Sequence, residues 1–294
     1  MDRLAFLVER ARGLRKKIVV AGSNDDVVLS ALKMALEHSI VEPVLVGPEV
    51  ETKALAERVG LDLSRCELID CQKDQSARVA VEVVSERGEL LMKGSVKTGD
   101  LMKVVLEDQY NLKTGSTITM VSVFDVPTYH KLLAISDAGM IIAPTLEQKI
   151  DMINVSVKVV KKLGIEKPKV AIVGAIEVPN VKMPATLDAA VLSKMSDRGQ
   201  IKDCIVDGPF ALDNAISKEA AEHKKIESPV AGDADILIMP DIEAGNVLYK
   251  ALVFFANATV ASVILGARIP IVLTSRADSD RTKLYSIALA AILC

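Results

Sequence analysis

The stretch GDADILIMPDIEAGNVLYKALVFFANATVASVILGARIPIVLTSRADS, Gly232 to Ser279, decides the fold. Ile236 to Met239 is a short apolar run stopped by Pro240, the pattern of a buried strand. Asp241 suits the N-cap of the next helix, read over about Val247 to Ala258. Gly245 and Asn246 keep side chains small where the backbone could approach a ligand, which makes Asp241, Gly245 and Asn246 substrate-binding candidates. Ile269 to Leu273 reads as a second buried strand that delivers Thr274, Ser275, Arg276, Asp278 and Ser279 together at its C-terminal end. Strand, helix and strand in this order specify an α/β fold with a parallel sheet. In such sheets ligands sit outside the carboxyl ends of the strands, so both polar turns fall on the expected edge of a site.

Upstream the same unit recurs. Lys17 to Ala21 is a strand, Gly22-Ser23-Asn24-Asp25 a capped turn, 26–38 a helix and Pro43 to Val46 the next strand. Leu90 to Met92 is a strand that runs into Lys93-Gly94-Ser95-Val96-Lys97-Thr98-Gly99-Asp100. Glycines and lysines at a helix start fit a phosphate group, and the same string also fits a solvated turn. Ile118 to Phe124 and Lys169 to Val173 are further strands, a long helix follows Pro144, and 211–223 reads as one helix. That long helix opens a fresh series of units. The expected division is therefore 1–136 with 267–294 as one lobe and 137–266 as the other. The last helix, 280–293, carries an apolar face that needs a partner.

Composition sets the outer bounds. Half of the 294 residues are apolar but only 3% are aromatic, and there is no Trp. Such a core is built from Ala, Val, Ile and Leu, as in buried parallel strands under helices. The net charge of −3, with both signs interspersed, offers no basic patch for nucleic acid. No apolar run reaches the roughly 18 residues of a membrane span, and the N-terminus lacks a signal-peptide core; the expectation is a cytoplasmic protein. Cys66, Cys71, Cys204 and Cys294 have no metal-type spacing, and His38, His130 and His223 are scattered. No metal site is expected.

Several ordered strings resemble one family. VFDVPTYHKLL, DAGMIIAPTLEQK, KMPATLDAAVL, DRGQIKDCIVDGPFALDNAIS, the stretch quoted above and KLYSIALAAIL are together similar to the phosphate acetyl/butyryl acyltransferases, over about Thr117 to the C-terminus. The resemblance implies a two-lobed α/β fold like that of the isocitrate and isopropylmalate dehydrogenases, with the active site in the cleft between lobes. It implies transfer of a short acyl group between coenzyme A and inorganic phosphate, with butyryl favoured and acetyl as the alternative. Acyl-CoA and phosphate would be the substrates, with no resident metal or redox cofactor, in a homodimer or higher homo-oligomer. The family's catalytic Ser-Arg pair falls on Ser275 and Arg276. Lys97 to Lys103 match a loop that carries a substrate-binding Arg in the acetyl branch, and Lys103 is its best counterpart. That branch also carries a catalytic Asp shortly after the Ser-Arg pair. Here Asp278 and Asp280 lie nearby, while Thr282 stands at the family spacing.

The chemistry agrees with these residue types. Attack of phosphate on a thioester needs a cation for the dianion, a donor for the developing oxyanion and a group to manage the thiol proton. Arg276 offers a planar fork, Ser275 a hydroxyl, and Asp278 or Asp280 a carboxylate. Two rivals share the fold class. A metal-dependent decarboxylating dehydrogenase needs Asp ligands on one helix face, whereas Asp233, Asp235 and Asp241 bracket a strand. A non-catalytic relative would have no need to keep SRADS and DIEAGN.

Overall fold

The computed structural model describes residues 2–274 and 278–294. The chain folds as two compact units, Met1–Ser116 with Val260–Cys294, and Thr117–Thr259. The expected boundaries lay at 136/137 and 266/267. The first moves because residues 119–125 pair with 133–136 as an antiparallel hairpin. The second moves because a strand beginning near residue 259 pairs back toward the N-terminal unit.

The first unit opens with a short helix, α1 (Phe6–Ala11), followed by β1 (Lys16–Ala21), α2 (Asp26–Glu37), β2 (Val41–Gly47), α3 (Glu49–Val59) and β3 (Glu67–Asp70). Then come α4 (Ser76–Arg87), β4 (Leu90–Lys93) and α5 (Thr98–Val105). β2 pairs in parallel with β1 (Val19 opposite Val44) and β3 with β2, while β4 lies parallel on the other side of β1 (Val19 opposite Leu91). The chain thus builds outward from β1 in one direction and then reverses. Ile18, Val19, Val20, Leu45, Leu90, Leu91 and Met92 are fully buried, as continuous apolar strands under helices must be.

The second unit contains β5 (Thr119–Asp125), β6 (Leu133–Ser136), α6 (Leu146–Lys162), β7 (Lys169–Val173), α7 (Pro184–Asp197) and β8 (Ile205–Phe210). It continues with α8 (Leu212–Ile216), α9 (Lys218–His223), β9 (Ile236–Ile238) and α10 (Ile242–Phe254). Its strand order is β5-β6-β9-β7-β8, parallel except for β5. A full capping box, Thr145 with Gln148, starts α6. The single helix expected over 211–223 is broken at Ser217, which is extended and caps α9 through a bond from the Ala220 N–H at 3.2 Å. α10 starts five residues earlier than expected, directly after the Asp241 cap.

The chain returns to the first unit through β10 (Thr259–Leu265), β11 (Ile271–Val272) and α11 (Asp280–Leu293). The sequence reading passed over β10, although Thr259, Val260, Val263 and Ile264 give it β-branched character. β11 runs parallel to β4 and antiparallel to β10, giving β3-β2-β1-β4-β11-β10 within this unit. α11 is buried on nearly every side between Lys283 and Ala291 and packs against α1, α2 and β11. Its partner lies within its own unit. Among the described residues no helix is long and apolar enough to cross a membrane.

Candidate active site

The reversal of strand order between β1 and β4 is a topological switch point, where parallel sheets leave a crevice at their carboxyl edge. Two turns meet there. The Gly94 N–H donates to the Ala21 carbonyl at 2.9 Å and the Ser95 N–H to the Gly22 carbonyl at 2.8 Å. The Ser95 hydroxyl donates to Asn24 Oδ1 at 2.6 Å. A methyl on Gly94 would collide with the Gly22 carbonyl oxygen, so only glycine lets these backbones approach so closely. The GSND turn is held from behind by a 2.8 Å bond between the buried hydroxyls of Ser23 and Thr52.

Beside these turns lies a cavity of about 570 Å³ lined by Asp25, Lys73, Asp74, Ala77, Ser95, Val96, Lys97 and Asp100. Its walls are the starts of α2, α4 and α5, so three helix N-termini converge on it. The amides of a helix's first turn carry partial positive charge and lack intrahelical partners. In α2 that demand is met by Asp25, whose carboxylate accepts from the Val28 N–H at 3.1 Å. Neither Gln75 before α4 nor Lys97 before α5 caps its helix with a side chain. Lys73 and Lys97 add two ammonium groups, against the three carboxylates of Asp25, Asp74 and Asp100, of which Asp25 is engaged as the α2 cap. The lining therefore suits an anion held by backbone N–H groups and lysines together.

The third polar turn on this edge follows β11. Ser275 and Arg276, the predicted catalytic pair, lie outside the described residues. On one side of them is Thr274, whose hydroxyl is buried and has no hydrogen-bond partner among the described residues. On the other side, Ser279 caps α11 by accepting from the Thr282 N–H at 3.2 Å. Asp280 is tied down at both oxygens: Oδ1 accepts from the Arg281 N–H at 2.8 Å and Oδ2 from the Ser30 hydroxyl of α2 at 3.2 Å. Below the turn, Lys283 Nζ donates to the Asp278 carbonyl at 2.8 Å. Burial draws the Lys283 ammonium below the ordinary lysine range, against the pull of Asp278, Asp25 and Asp280.

Of the predicted binding residues, Lys97 lines the cavity, whereas Lys103 lies exposed on α5 outside the lining. The loop read over 93–100 is shorter than expected, because α5 begins at Thr98 and Gly99 is helical. Asp241, Gly245 and Asn246 belong to the second unit, where each has a packing role. Asp241 accepts from the Ala244 N–H at 2.8 Å and caps α10. The close approach at Gly245 is to the chain's own backbone rather than to open space. A methyl there would collide with the Asp137 carbonyl oxygen and lie 3.1 Å from Ala138 Cα. Asn246 Nδ2 donates to the Ala138 carbonyl at 3.1 Å. The Asp137 carboxylate is buried and accepts four bonds, from Thr119 Oγ1 and the N–H groups of Met120, Gly139 and Met140, at 2.6–2.8 Å. It is a latch with its acceptor positions filled.

Lys73 and Lys283 were not singled out from sequence. Lys73 stands in the turn after β3, where the spacing of strand ends could have placed it. Lys283 reads as an ordinary helix residue, and only its burial distinguishes it. Among the described residues no three His, Cys, Asp or Glu side chains come together as a metal site.

Comparison with known proteins gives a consistent result. A profile of the family described as phosphate acetyl/butaryl transferase matches residues 4–109 and 78–291. A phosphate acetyltransferase of Thermotoga maritima is 58% identical over 98% of this chain and 99% of its own length. A phosphate butyryltransferase of Clostridium acetobutylicum is 46% identical over 95% of this chain and 93% of its own. The crystal structure of a branched-chain phosphotransacylase from Enterococcus faecalis V583 superposes with a TM-score of 0.82 at 31% identity, over 95% of this chain and 98% of that one.

Proposed function

The chain belongs to the phosphate acetyl/butaryl transferase family and is a phosphate acyltransferase, and from that premise we propose that its site lies at the carboxyl edge of β1, β4 and β11. In this reading phosphate and acyl-CoA are the substrates and no resident cofactor takes part. The observation that carries it is the convergence of three helix N-termini, Lys73 and Lys97 on one cavity at the β1/β4 switch point.

In the proposed reaction a phosphate oxygen attacks the thioester carbonyl carbon. The new C–O bond forms as the C–S bond breaks, giving an acyl phosphate and a thiolate that takes up the proton given off by the attacking phosphate. Arg276 binds phosphate oxygens through its fork, and Ser275 donates to the developing oxyanion. The proton-handling role falls to Asp278 or Asp280, of which Asp280 also holds α11 to α2. Thr274 adds a buried hydroxyl on the same edge.

Acetyl is the acyl group supported by the 58% identical relative, which is named for that substrate. Butyryl is the second reading, supported by the relative at 46%. The test is thiol release from acetyl-, propionyl-, butyryl- and isobutyryl-CoA in the presence of phosphate, with and without a chelator. The reading expects phosphate-dependent release that the chelator leaves unchanged, with kcat/KM highest for acetyl. Release independent of phosphate, or lost on chelation and restored by a divalent metal, overturns it. A maximum at butyryl selects the second reading. We propose further that the protein works as a homo-oligomer. The support is α10, where Gly245 is the only buried residue while Val247, Phe254 and Phe255 stand exposed.

A further inference from the structure

The first unit has a second cavity, at the amino edge of its strands. It measures about 440 Å³, and its charged lining is Arg15, Lys17, Glu42, Arg65 and Glu67. Its floor follows from the sheet register. Lys17 stands opposite Glu42 and Val44 opposite Glu67, and residues two apart on a strand share a face, so all four lie on one side of the sheet. Leu36 in the last turn of α2, Ser39 just beyond it and Arg65 of a 3₁₀ turn (Leu63–Arg65) supply the walls. α2 therefore touches both cavities, this one with Leu36 and the first with its Asp25 cap, and the two lie at its opposite ends.

The charges in this second cavity are unbalanced. Glu42 accepts from Arg15 Nε at 3.0 Å, and Glu67 accepts from both amino groups of Arg87, so each carboxylate has its own arginine. Lys17 is half-buried, and among the described residues neither a hydrogen bond nor an ion pair reaches its ammonium. Its charge acts on Glu67 and Glu89, which Arg87 and Lys16 already pair. Arg65 has no ion pair among the described residues either. One of its amino groups donates to the Leu36 carbonyl at 2.9 Å and covers the negative end of α2. Two cations are left over. Two lining residues, Arg15 (φ +51°) and Ser39 (φ +54°), also hold left-handed backbone without being glycine, joined by a 3.1 Å bond from the Arg15 N–H to the Ser39 carbonyl. That conformation is disfavoured for an L-residue, and such strain gathers at ligand sites.

We propose that this cavity is a second anion site, for a small phosphate ester and separate from the candidate active site. The two unmatched cations call for a dianion. Lys17 meets it as a point charge, and the donors that Leu36 and Glu42 leave over on Arg65 and Arg15 match paired phosphate oxygens. The volume is in the range of cavities that take a small organic ligand, so the phosphate arrives on a carbon body that packs against Leu36 and Val44. Inorganic phosphate alone leaves that apolar wall uncovered.

The experiment titrates the full chain by calorimetry at fixed ionic strength, which holds non-specific attraction constant. The probes are glucose 6-phosphate and glycerol 3-phosphate, with inorganic phosphate and malonate for comparison. One ester molecule should bind per chain with a Kd of about 1 mM or tighter. Lys17→Met and Arg65→Gln should each weaken it by about tenfold or more, the loss of a charge-assisted hydrogen bond. Lys97→Met, in the first cavity, should leave it unchanged, and urea midpoints check that the variants fold. The proposal is overturned if neither ester binds saturably to the wild type, or if binding survives in either folded variant. It is overturned too if neither variant folds, since the two cations are then structural. Loss of binding in Lys97→Met overturns it as well, because the ester then occupies the candidate active site. Lys17-dependent binding of phosphate or malonate as tight as that of the esters overturns the assignment to an ester.

Discussion

Replacing Gly94 by alanine tests whether the meeting of the β1 and β4 turns is needed for the site. The added methyl would collide with the Gly22 carbonyl oxygen and come within 2.9 Å of its carbon and 3.0 Å of the Ala21 carbonyl oxygen. All three are backbone atoms at the ends of buried strands, so no flexible side chain can swing away. Overpacking of this kind costs about 1–3 kcal/mol. The displacement also strains the bonds from Gly94 N–H and Ser95 N–H, each worth about 1 kcal/mol. Together the loss should be about 2–4 kcal/mol in stability. Activity should fall by at least about tenfold, because Ser95, Val96 and Lys97 line the cavity and move with the turn. The control is Gly99, which lies in α5 with nothing within 4 Å of an added methyl. Gly99→Ala should be neutral or stabilising by up to about 1 kcal/mol, the helix-propensity difference. Urea unfolding followed by far-ultraviolet circular dichroism gives the stabilities, and phosphate-dependent thiol release gives the activities. If Gly94→Ala matches the wild type in both, the contact between the turns does not hold the site, and the reasoning fails.

Three further outcomes are expected. Arg276→Ala should cost about 2–4 kcal/mol of transition-state stabilisation, with Lys at this position restoring activity only in part, and Ser275→Ala should mainly lower kcat; near-normal kinetics in both variants would move the site away from this turn. Asp233 is desolvated, but bonds from Lys169, Lys131 and His130 outweigh that and hold it below its ordinary 3.8, so its contribution to stability is present above that pH and lost as pH falls below it. The urea midpoint of Asp233→Asn should thus lie below wild type at neutral pH and approach it in acid, and a gap unchanged by pH would contradict this. The double change Phe254→Glu with Phe255→Glu should convert a homo-oligomer into a folded monomer by light scattering, and a wild type that is already monomeric removes the oligomer proposal.

Much of the fold is legible because buried parallel strands write themselves as apolar runs with polar ends. Lys169–Val173 and Asp280–Leu293 fall where the sequence puts them. The losses have local causes. β10 is hidden because the helix reads on to Ala258 in sequence, whereas α10 ends at Phe254 and the β-branched run from Thr259 opens a strand of its own. The helix over 211–223 splits because Ser217 can cap as well as continue a helix, and hydrogen-bonding side chains compete with the helical backbone. The alternation of strand and helix is a short-range signal. Where one unit ends and the next begins depends on pairings such as β5 with β6, which it does not contain.

The candidate site was legible to a different degree, and two glycines show why. Gly94 and Gly245 carry the same message in sequence, a small residue at a strand-to-helix turn among polar neighbours. Both prove to sit where a methyl would meet backbone. At Gly94 the backbone is the turn after β1, and the contact leaves a cavity beside it lined by Ser95, Val96 and Lys97. At Gly245 it is the Asp137–Ala138 turn, which Asn246 then clasps and whose carboxylate has its acceptor positions filled. A glycine reports that something comes close, and the sequence does not say whether that is protein or substrate. What separates the two cases is the balance of polar groups. Around Asp137 donors and acceptors are matched. Around the β1, β4 and β11 ends two helices start without a side-chain cap and Thr274 holds a buried hydroxyl without a described partner. Lys283 is buried at the wrong end of its helix close by. Buried polar groups left unmatched cost stability unless a ligand completes them. The gathering of these groups beside one cavity at the β1/β4 switch point, more than any motif, is what supports our proposal of a site on the first unit's carboxyl edge.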